Sequence, residues 1–357
     1  MTQADVRRAA ADTSVAPRRL RLGFLSHLHG SAEPAQLYRD YVELFVAAEE
    51  LGFDSAWVAQ HHLDPTAGRL PSPLTFLAAV AERTRRITLG TAVVTLPLED
   101  PLRVAEDAAV LDALAGGRLE LGVGSGTDPA VFAAFGRDVE NRREANTAAV
   151  ALLLDAFAGR PVRDTAYTLQ PPAPQLAHRV WQAAFSEGGA RHVGAAGTRL
   201  LLNRATFGSA ERTDEVQAPW AQVYRACYAG PASELRIGLS RGVFPAADKR
   251  AAKAAIEPAV LGLVARMVKT GRFPPGLDTE AYFERLHISY GHPQEVAAGL
   301  AADRVLPLAT DLICQFSPAA PALGDAIAAL ELLATQVGPA LGWEPAPARS
   351  PVHALSK

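Results

Sequence analysis

Four of the nine histidines fall into two close pairs, and each pair follows a short apolar run of residues. The first pair is His27 and His29, and the second is His61 and His62. An imidazole can take or give a proton near neutral pH, so such pairs suit proton transfer. Two imidazoles at alternate positions can also point at one metal ion. The pairs therefore predict a site for proton transfer or metal binding, and histidines that simply end a strand are the alternative.

Two glycine-rich segments could bring the backbone close to a ligand. Residues 122–126 read GVGSG, and residues 185–191 read FSEGGAR at the start of a predicted helix. Glycine permits close approach and positive φ angles, and the free N–H groups of a helix N-terminus bind phosphate. A plain helix cap at Ser186 is the alternative. The candidates for ligand contact in these segments are Ser125, Gly126, Ser186, Gly188, Gly189 and Arg191.

These residues lie at the ends of strands in a regular alternation of strands and helices. Eight strands, each followed by a helix, indicate an α/β fold of the TIM (β/α)8 barrel type, whose chemistry lies at the carboxyl ends of the strands. A doubly wound sheet is disfavoured, because SHLHG follows the first strand in place of a dinucleotide-binding fingerprint. The predicted strands are 20–26, 55–59, 87–96, 118–123, 180–184, 200–202, 235–239 and 311–316. The predicted helices are 35–51, 73–83, 101–114, 141–157, a helix from about 188, 210–228 and 321–337.

A metal site is incomplete on this arrangement. A metal-dependent hydrolase barrel would need further histidines after strands five and six and an aspartate at the end of strand eight. Those strand ends hold Ser186, Asn203 and Ser317 instead. No metal is therefore predicted, and the paired residues His27, His29 and His62 are assigned to a substrate pocket.

One long segment, residues 241–292, is too long for a single connection. It contains a basic helix at about 246–270 and then a Pro-Pro-Gly breaker, so an insertion over the barrel mouth is predicted after strand seven. The basic face of that helix is typical of a solvated surface, and steering of an anionic substrate is the other interpretation. The proline-rich residues 161–174 predict a loop with a short hairpin.

The rest of the chain is assigned by composition. Residues 1–19 are predicted to be a flexible N-terminal tail, 20–340 a single barrel domain, and 341–357 a C-terminal tail. A net charge of -3 gives no reason to expect nucleic acid or an anionic membrane as partner. No stretch is long and apolar enough to span a bilayer. Cys227 and Cys314 lie far apart without metal-ligand spacing, so a reducing, cytoplasmic location is expected.

Several segments carry a family resemblance when they are taken in order. Residues 52–62 read GFDSAWVAQHH, 86–97 read RITLGTAVVTLP, and 117–126 read GRLELGVGSG. With SPL at 72–74, PLRVAED at 101–107, FAAFG at 132–136 and GHPQEV at 291–296, they resemble the bacterial luciferase-like flavin-dependent monooxygenases. The resemblance is dense over residues 20–157 and thinner beyond.

The resemblance implies roles for several residues. It implies that His61 is the catalytic histidine, and that the peptide between Ala92 and Val93 bulges against the flavin ring, often as a non-prolyl cis bond. It also implies that Ser186 and Gly189 lie where the family holds the flavin phosphate.

Two positions depart from the family pattern. Relatives often have glutamate where this chain has Gln60, and arginine where it has Ser125. The first departure removes a carboxylate from the site. The second removes a cation that would help to hold the flavin phosphate, and Arg191 or Arg142 would then supply the charge.

The resulting hypothesis is an oxidoreductase that uses reduced FMN and O2 to oxygenate a small organic molecule. A separate flavin reductase would supply the reduced FMN, because no domain that binds a nicotinamide cofactor is visible. A homodimer is expected by resemblance. An oxidoreductase that uses the deazaflavin F420 and a flavin-binding protein without catalytic activity are the alternatives, and a metal-dependent hydrolase is a remote one.

Overall fold

Parallel strands close into a ring in the computed structural model, which describes residues 19–207, 209 and 211–345. The first strand pairs with the second and with the last, and the last pairs also with the seventh barrel strand. The predicted TIM barrel is thus confirmed. The strands are β1 (Arg21–Ser26), β2 (Ser55–Val58), β3 (Thr88–Thr91), β4 (Val94–Thr95), β5 (Leu119–Gly124), β6 (Val180–Ala184), β7 (Arg199–Leu202), β8 (Ile237–Pro245), β9 (Ile288–Gly291) and β10 (Asp311–Gln315).

Helices surround the barrel, and those that the sequence pattern predicts occur in the predicted order, while α4, α9, α10 and α12 were not predicted. Several begin with proline, whose missing N–H is not needed in the first turn. Ahead of the third helix, Asp100 accepts hydrogen bonds from two backbone N–H groups. The helices are α1 (Pro34–Glu50), α2 (Pro73–Arg83), α3 (Pro101–Leu114), α4 (Pro129–Ala134), α5 (Arg142–Phe157), α6 (Glu187–Ala195), α7 (Thr213–Cys227), α8 (Lys249–Lys269), α9 (Thr279–Arg285), α10 (Pro293–Ala301), α11 (Leu323–Leu332) and α12 (Gly338–Ala340).

The barrel interior is filled from its amino-terminal end. Arg199 and Arg236 both pair there with Glu120, which follows the first residue of β5. Above them the rings of Trp57 and Trp181 meet edge to face, with centres 5.4 Å apart. Because these side chains occupy the lower barrel, the carboxyl ends of the strands form the end that is open to ligands.

The third barrel strand is interrupted where the sequence predicts one continuous strand over 87–96. β3 and β4 both pair with β5, and the residues between them, Ala92 and Val93, leave the ladder. The peptide bond between these two residues is cis. This bulge lies at the carboxyl end of the barrel.

The seventh barrel strand is longer than the predicted strand 235–239. β8 continues to Pro245 because β9, nearly fifty residues later in the sequence, pairs with its last four residues. The insertion therefore leaves the barrel after Pro245, and Arg241 is part of the strand. Helices α8 and α9 pack on this extension through a small core that includes Phe244, Val260 and Phe283.

Two other expectations need correction. Residues 161–173 form turns closed by the Val162 N–H, which donates to the Tyr167 carbonyl oxygen, and this described segment contains no strand, so the predicted hairpin is wrong. The predicted tail 341–357 begins too early, because Trp343 is buried and its Nε1 donates to Asp54 Oδ2 at 2.7 Å. The remainder of that tail, from residue 346, and residues 1–18 of the predicted N-terminal tail lie outside the described residues.

Across the described ranges, no helix has both the length and the apolar character that a membrane crossing requires.

Candidate active site

Three histidines from two strand ends stack at the barrel mouth. His27 and His29 follow β1, and His61 follows β2 after a short extended stretch. The ring centre of His27 lies 5.5 Å from that of His29 and 5.0 Å from that of His61. Nδ1 of His27 is hydrogen-bonded to Nε2 of His61 at 2.8 Å. The structure thus joins residues that the sequence analysis had assigned separately to a substrate pocket and to catalysis.

The amide of Gln315 at the end of β10 orients this pair. Its Nε2 donates to Ser240 Oγ, and its Oε1 lies 3.1 Å from Nε2 of His27. The Oε1 atom can only accept, so Nε2 of a neutral His27 carries the proton and Nδ1 is its acceptor. Nε2 of His61 must then donate to His27, which leaves Nδ1 of a neutral His61 unprotonated. The network therefore gives His61 a free lone pair with which it can accept a proton.

Burial keeps these imidazoles uncharged. Loss of solvent lowers the pKa of His61 to about 4 and, with help from Arg204 and Arg266, that of His29 also to about 4. Burial and the neighbouring His61 lower the pKa of His27 well below its ordinary value. All three are therefore neutral at pH 7, the form in which an imidazole acts as a base.

The loop after β2 is held over His61 by a glycine that the sequence analysis did not single out. A Cβ atom at Gly68 would lie 2.5 Å from Cδ2 of His61 and 2.5 Å from the carbonyl oxygen of His27. The next residue, Arg69, donates to the carbonyl oxygens of Gly30 and Ala32 in the loop after β1. The two loops that carry the histidines are thus packed and bonded to each other.

The carboxylate of Glu99 lies beside Gln60, the position at which relatives often have a glutamate. Gln60 Nε2 donates to Glu99 Oε1 at 2.7 Å, and Gln60 Oε1 accepts from the Thr95 N–H at 2.7 Å. Glu99 is close enough to His62 to oppose the lowering of that residue's pKa by burial. Sequence spacing could not reveal the nearness of Glu99 to Gln60, because Glu99 follows the next barrel strand.

The glycines of residues 122–126 fit the bulge of the third strand. Thr91 Oγ1 donates to the Gly122 carbonyl oxygen, and a Cβ at Gly122 would lie 1.9 Å from the Thr91 carbonyl oxygen. A Cβ at Gly124 would lie 2.7 Å from Cγ2 of Val93. Gly126 has φ +66°, and a Cβ there would lie 2.5 Å from Cγ2 of Thr95. Packing against the strand therefore explains these glycines, and ligand contact at Ser125 and Gly126 stays a prediction.

A helix N-terminus opens at the end of β6. Ser186 caps α6, and its Oγ accepts from the Gly189 N–H at 3.1 Å. The first N–H groups of a helix have no partner within it, so those of Glu187 and Gly188 are available. A Cβ at Gly188 would meet no atom within 4 Å, so this end of the helix faces open space. Ser186, Gly188 and Gly189 thus form the start of α6, and phosphate binding there stays a prediction.

Of the two arginines considered for the phosphate, Arg191 lies in α6 itself and Arg142 lies in α5. Arg191 contacts Glu187 and the Cys227 sulfur. Arg142 donates to the Val139 carbonyl oxygen at 2.7 Å. Arg191 thus lies one turn from the start of α6 and pairs with its first residue, and its contact with a phosphate stays a prediction.

Among the described residues, no three side chains of His, Cys, Asp or Glu come together as a ligand set. His27 and His29 stack on each other instead of pointing at a shared centre.

A family model described as luciferase-like monooxygenase matches residues 21–309. The chain belongs to this family. The predicted family is thereby confirmed, and the relatives of this luciferase-like protein are oxidoreductases.

Sequence relatives match over parts of the chain. It is 44% identical over 122 residues to the 4-hydroxyprotoasukamycin monooxygenase of Streptomyces nodosus subsp. asukaensis, which is 34% of this chain and 32% of that protein. It is 43% identical over 103 residues to the F420-dependent glucose-6-phosphate dehydrogenase of Amycolatopsis mediterranei (strain U-32), 28% of this chain and 31% of that protein. The matches span less than two thirds of the curated relatives, at 42%, 62% and 32% of three of them.

Solved structures share the fold over nearly the whole chain. A monooxygenase from Streptomyces bottropensis superposes with a TM-score of 0.72 at 24% identity, covering 90% of this chain and 99% of that one. The oxygenating constituent of 3,6-diketocamphane monooxygenase from Pseudomonas putida, solved with FMN, has a TM-score of 0.71 at 18% identity and covers 90% and 98%. The luciferase-like protein thus shares its barrel fold with these solved structures.

Proposed function

We propose that this protein is a monooxygenase that uses reduced FMN and O2 to oxygenate a small organic molecule. The observation that carries the proposal is the placement of an uncharged, oriented histidine pair in the same barrel mouth as an open helix N-terminus. The first can move a proton at neutral pH, and the second can hold a phosphate. A separate flavin reductase would supply the reduced cofactor.

The residues present fit a flavin of this kind. The N–H groups of Glu187 and Gly188 and the hydroxyl of Ser186 would hold the phosphate. Ala92 and Val93 are small side chains at the mouth, packed above the buried tryptophans, and would support a flat ring. Large apolar side chains at the same rim, Phe135 and Phe185, are 40% and 56% exposed. A bound aromatic ring gives such side chains a partner.

The chain's own residues then divide the chemistry between them. Reduced FMN, when bound, supplies the electrons with which O2 is activated and one oxygen atom is transferred. His61 accepts a proton at Nδ1 or holds it near the reacting atoms. His27 and Gln315 are positioning residues, because they keep His61 in the tautomer whose Nδ1 is free. Bound flavin and substrate would exclude water from the mouth, which protects a reactive site from side reactions.

A deazaflavin-dependent oxidoreductase is the second candidate. It is favoured by Ser125 in place of the family's arginine and by the 43% identity to an F420-dependent dehydrogenase. This function requires hydride transfer without O2. Dependence of turnover on O2 therefore separates the two functions.

The test is an anaerobic titration of the full chain with reduced FMN and, in parallel, with reduced F420. We expect reduced FMN to bind and riboflavin, which lacks the phosphate, to bind more weakly. Binding of F420 alone would overturn the FMN assignment in favour of the second candidate. Binding of neither would remove both cofactor-dependent functions.

A further inference from the structure

Arg204 is a buried cation at the barrel mouth without an acidic partner. It follows β7, and only 7% of the residue is exposed. One guanidinium nitrogen donates to the Ser317 carbonyl oxygen at a long 3.3 Å, and Cζ lies 5.9 Å from the ring centre of Phe207. Across the described residues, no carboxylate oxygen lies within 4 Å of the group. Its charge is thus compensated by one weak hydrogen bond and one ring.

The other buried arginines of this barrel are paired. Arg241 is fully buried, and its Nε lies 2.6 Å from Asp303 Oδ2. Arg199 pairs with Glu120 at 2.5 Å. An unpaired buried charge costs several kcal/mol, so proteins rarely keep one unless it serves a purpose. Burial lowers the pKa of Arg204 to about 10, so the group still carries its charge at neutral pH.

The surroundings of Arg204 form an electropositive corner of the mouth. Its charge lowers the pKa of both His27 and His29, and Arg266 of helix α8 adds to the effect on His29. The carbonyl that it touches belongs to Ser317, which follows β10. This corner therefore lies between the ends of β1, β7 and β10, and the N-terminus of α6 follows the strand that neighbours β7.

A cavity of about 360 Å³ adjoins this corner. Its polar lining includes His27, His29 and Ser317, and its apolar lining includes Phe24, Leu37, Leu44 and Phe316. Asp40 is the one carboxylate in the lining, and it accepts a hydrogen bond from Gln36 at an exposed position. Arg204 is not itself part of the lining, but Ser317, whose carbonyl oxygen it contacts, is. The cavity thus has an apolar body and one polar end next to a residue that Arg204 touches, which matches an amphipathic anion.

We propose that Arg204 binds an oxyanion group, such as a carboxylate, on a substrate whose apolar part occupies this cavity. The proposal rests on the proposed function for its catalytic meaning, because the same mouth would hold the flavin. It names the substrate class: small organic acids with an apolar chain or ring. Arg266 adds long-range attraction, which connects the basic helix of the insertion to substrate capture.

The test compares heptanoate with its uncharged isostere heptanamide, by calorimetric titration of the full chain. We expect heptanoate to bind at least tenfold more tightly than heptanamide, a difference of about 1.4 kcal/mol. Arg204→Met removes that preference, and Arg204→Lys keeps part of it. Arg225→Met, which changes an exposed arginine on α7, leaves it unchanged. Equal affinity for the two probes, failure of both to bind, or full heptanoate affinity in Arg204→Met overturns the proposal.

The unfolding temperature of the ligand-free variants separates a binding role from a structural one. Removal of an uncompensated buried charge leaves the unfolding temperature of Arg204→Met equal to or above that of the wild type. Heptanoate then raises the unfolding temperature of the wild type and not of Arg204→Met. A large drop in the ligand-free variant, rescued by Arg204→Lys, makes Arg204 structural and contradicts the proposal.

The two proposals fail in different ways. Reduced FMN is titrated into the wild type and into Arg204→Met, and both are expected to bind it within about twofold of each other. A wild type that binds heptanoate through Arg204 but not FMN would refute the flavin function and retain the anion site. A wild type that binds FMN and shows no preference for heptanoate would refute the anion site and retain the flavin function.

Discussion

Nδ1 of His27 accepts a hydrogen bond from Nε2 of His61 across the ends of the first two barrel strands, at 2.8 Å. This contact determines which nitrogen of His61 is free. Gln315 on the last strand, 288 residues after His27 in the sequence, orients the ring of His27. The proposed base is therefore prepared by three strands that only the closed barrel brings together.

Replacement of His61 tests its role as proton acceptor. His61→Gln removes the imidazole, and turnover is expected to fall by roughly 10²- to 10⁴-fold, the range for loss of a general base. Affinity for reduced FMN should change little, because the phosphate contacts lie on α6. Gln315→Leu, which frees the tautomer of His27, should give a smaller loss. Steady-state oxygen consumption with a screened substrate measures both, and His178→Gln, an exposed histidine, is the matched control. Full activity in His61→Gln would remove it from the mechanism.

Acid should destabilise the protein between about pH 6.5 and pH 4. Burial lowers the pKa of His29 and His61 to about 4, and burial also lowers the pKa of His27 well below its ordinary value near 6.5. The unfolded chain therefore binds more protons in this interval, so the stability is fully present above pH 6.5 and is lost as the pH falls. Unfolding temperatures measured across this range should decline, and less steeply in His61→Asn. An unchanged slope in that variant would show that the histidine stack does not titrate as a buried unit.

Gly68→Ala should damage the site more than the fold. The added methyl group would stand 2.5 Å from both the His61 ring and the His27 carbonyl oxygen, so the ring must move and its hydrogen bond to His27 weakens. We expect turnover to fall at least tenfold. Gly68 has φ +152° and Gly159 has φ +74°, so Gly159→Ala, with open space around it, controls for the general cost of a methyl group at a positive φ. If both variants lose activity equally, the packing of Gly68 on His61 has no special effect.

Ser186→Ala should weaken FMN binding through the phosphate. Loss of a hydrogen bond to a charged group costs about 1.5–3 kcal/mol, which is roughly a 10- to 150-fold change in affinity. Riboflavin lacks the phosphate, so its affinity should be unchanged by the variant. Asp100→Ala removes a comparable cap from α3 and should change neither affinity. A parallel loss of FMN and riboflavin affinity would indicate that the variant perturbs the barrel and not a phosphate site.

Periodicity and breakers were sufficient to predict the barrel and most element bounds, because each βα unit carries its own apolar stripe and caps. Where an element depends on a distant partner, the prediction fell short. The extension of β8 exists because β9 pairs with it, and the sequence of residues 237–245 does not indicate that partner. Trp343 likewise extends the fold beyond residue 340 through its contact with Asp54.

The same limit applied to the candidate site. The sequence pointed to His61, Ser186 and the Ala92–Val93 peptide, which lie at strand ends and in recognisable motifs. It did not reveal Gln315 or Arg204, which are single polar residues whose meaning comes from neighbours on other strands. Their position just at or after a strand's carboxyl end was the available signal, and it applies to many residues of a barrel.

The most direct test of the central claim is a pulse of oxygenated buffer onto the protein loaded with reduced FMN, in the absence of substrate. We expect a mouth that excludes water and a site that controls the proton to delay re-oxidation. The absorbance of oxidised flavin should then return much more slowly than it does for free reduced FMN. In His61→Gln, the oxidised-flavin absorbance should return faster than in the wild type. Return at the rate of free reduced FMN, in a protein shown to have all of its flavin bound, would contradict the assignment as a monooxygenase.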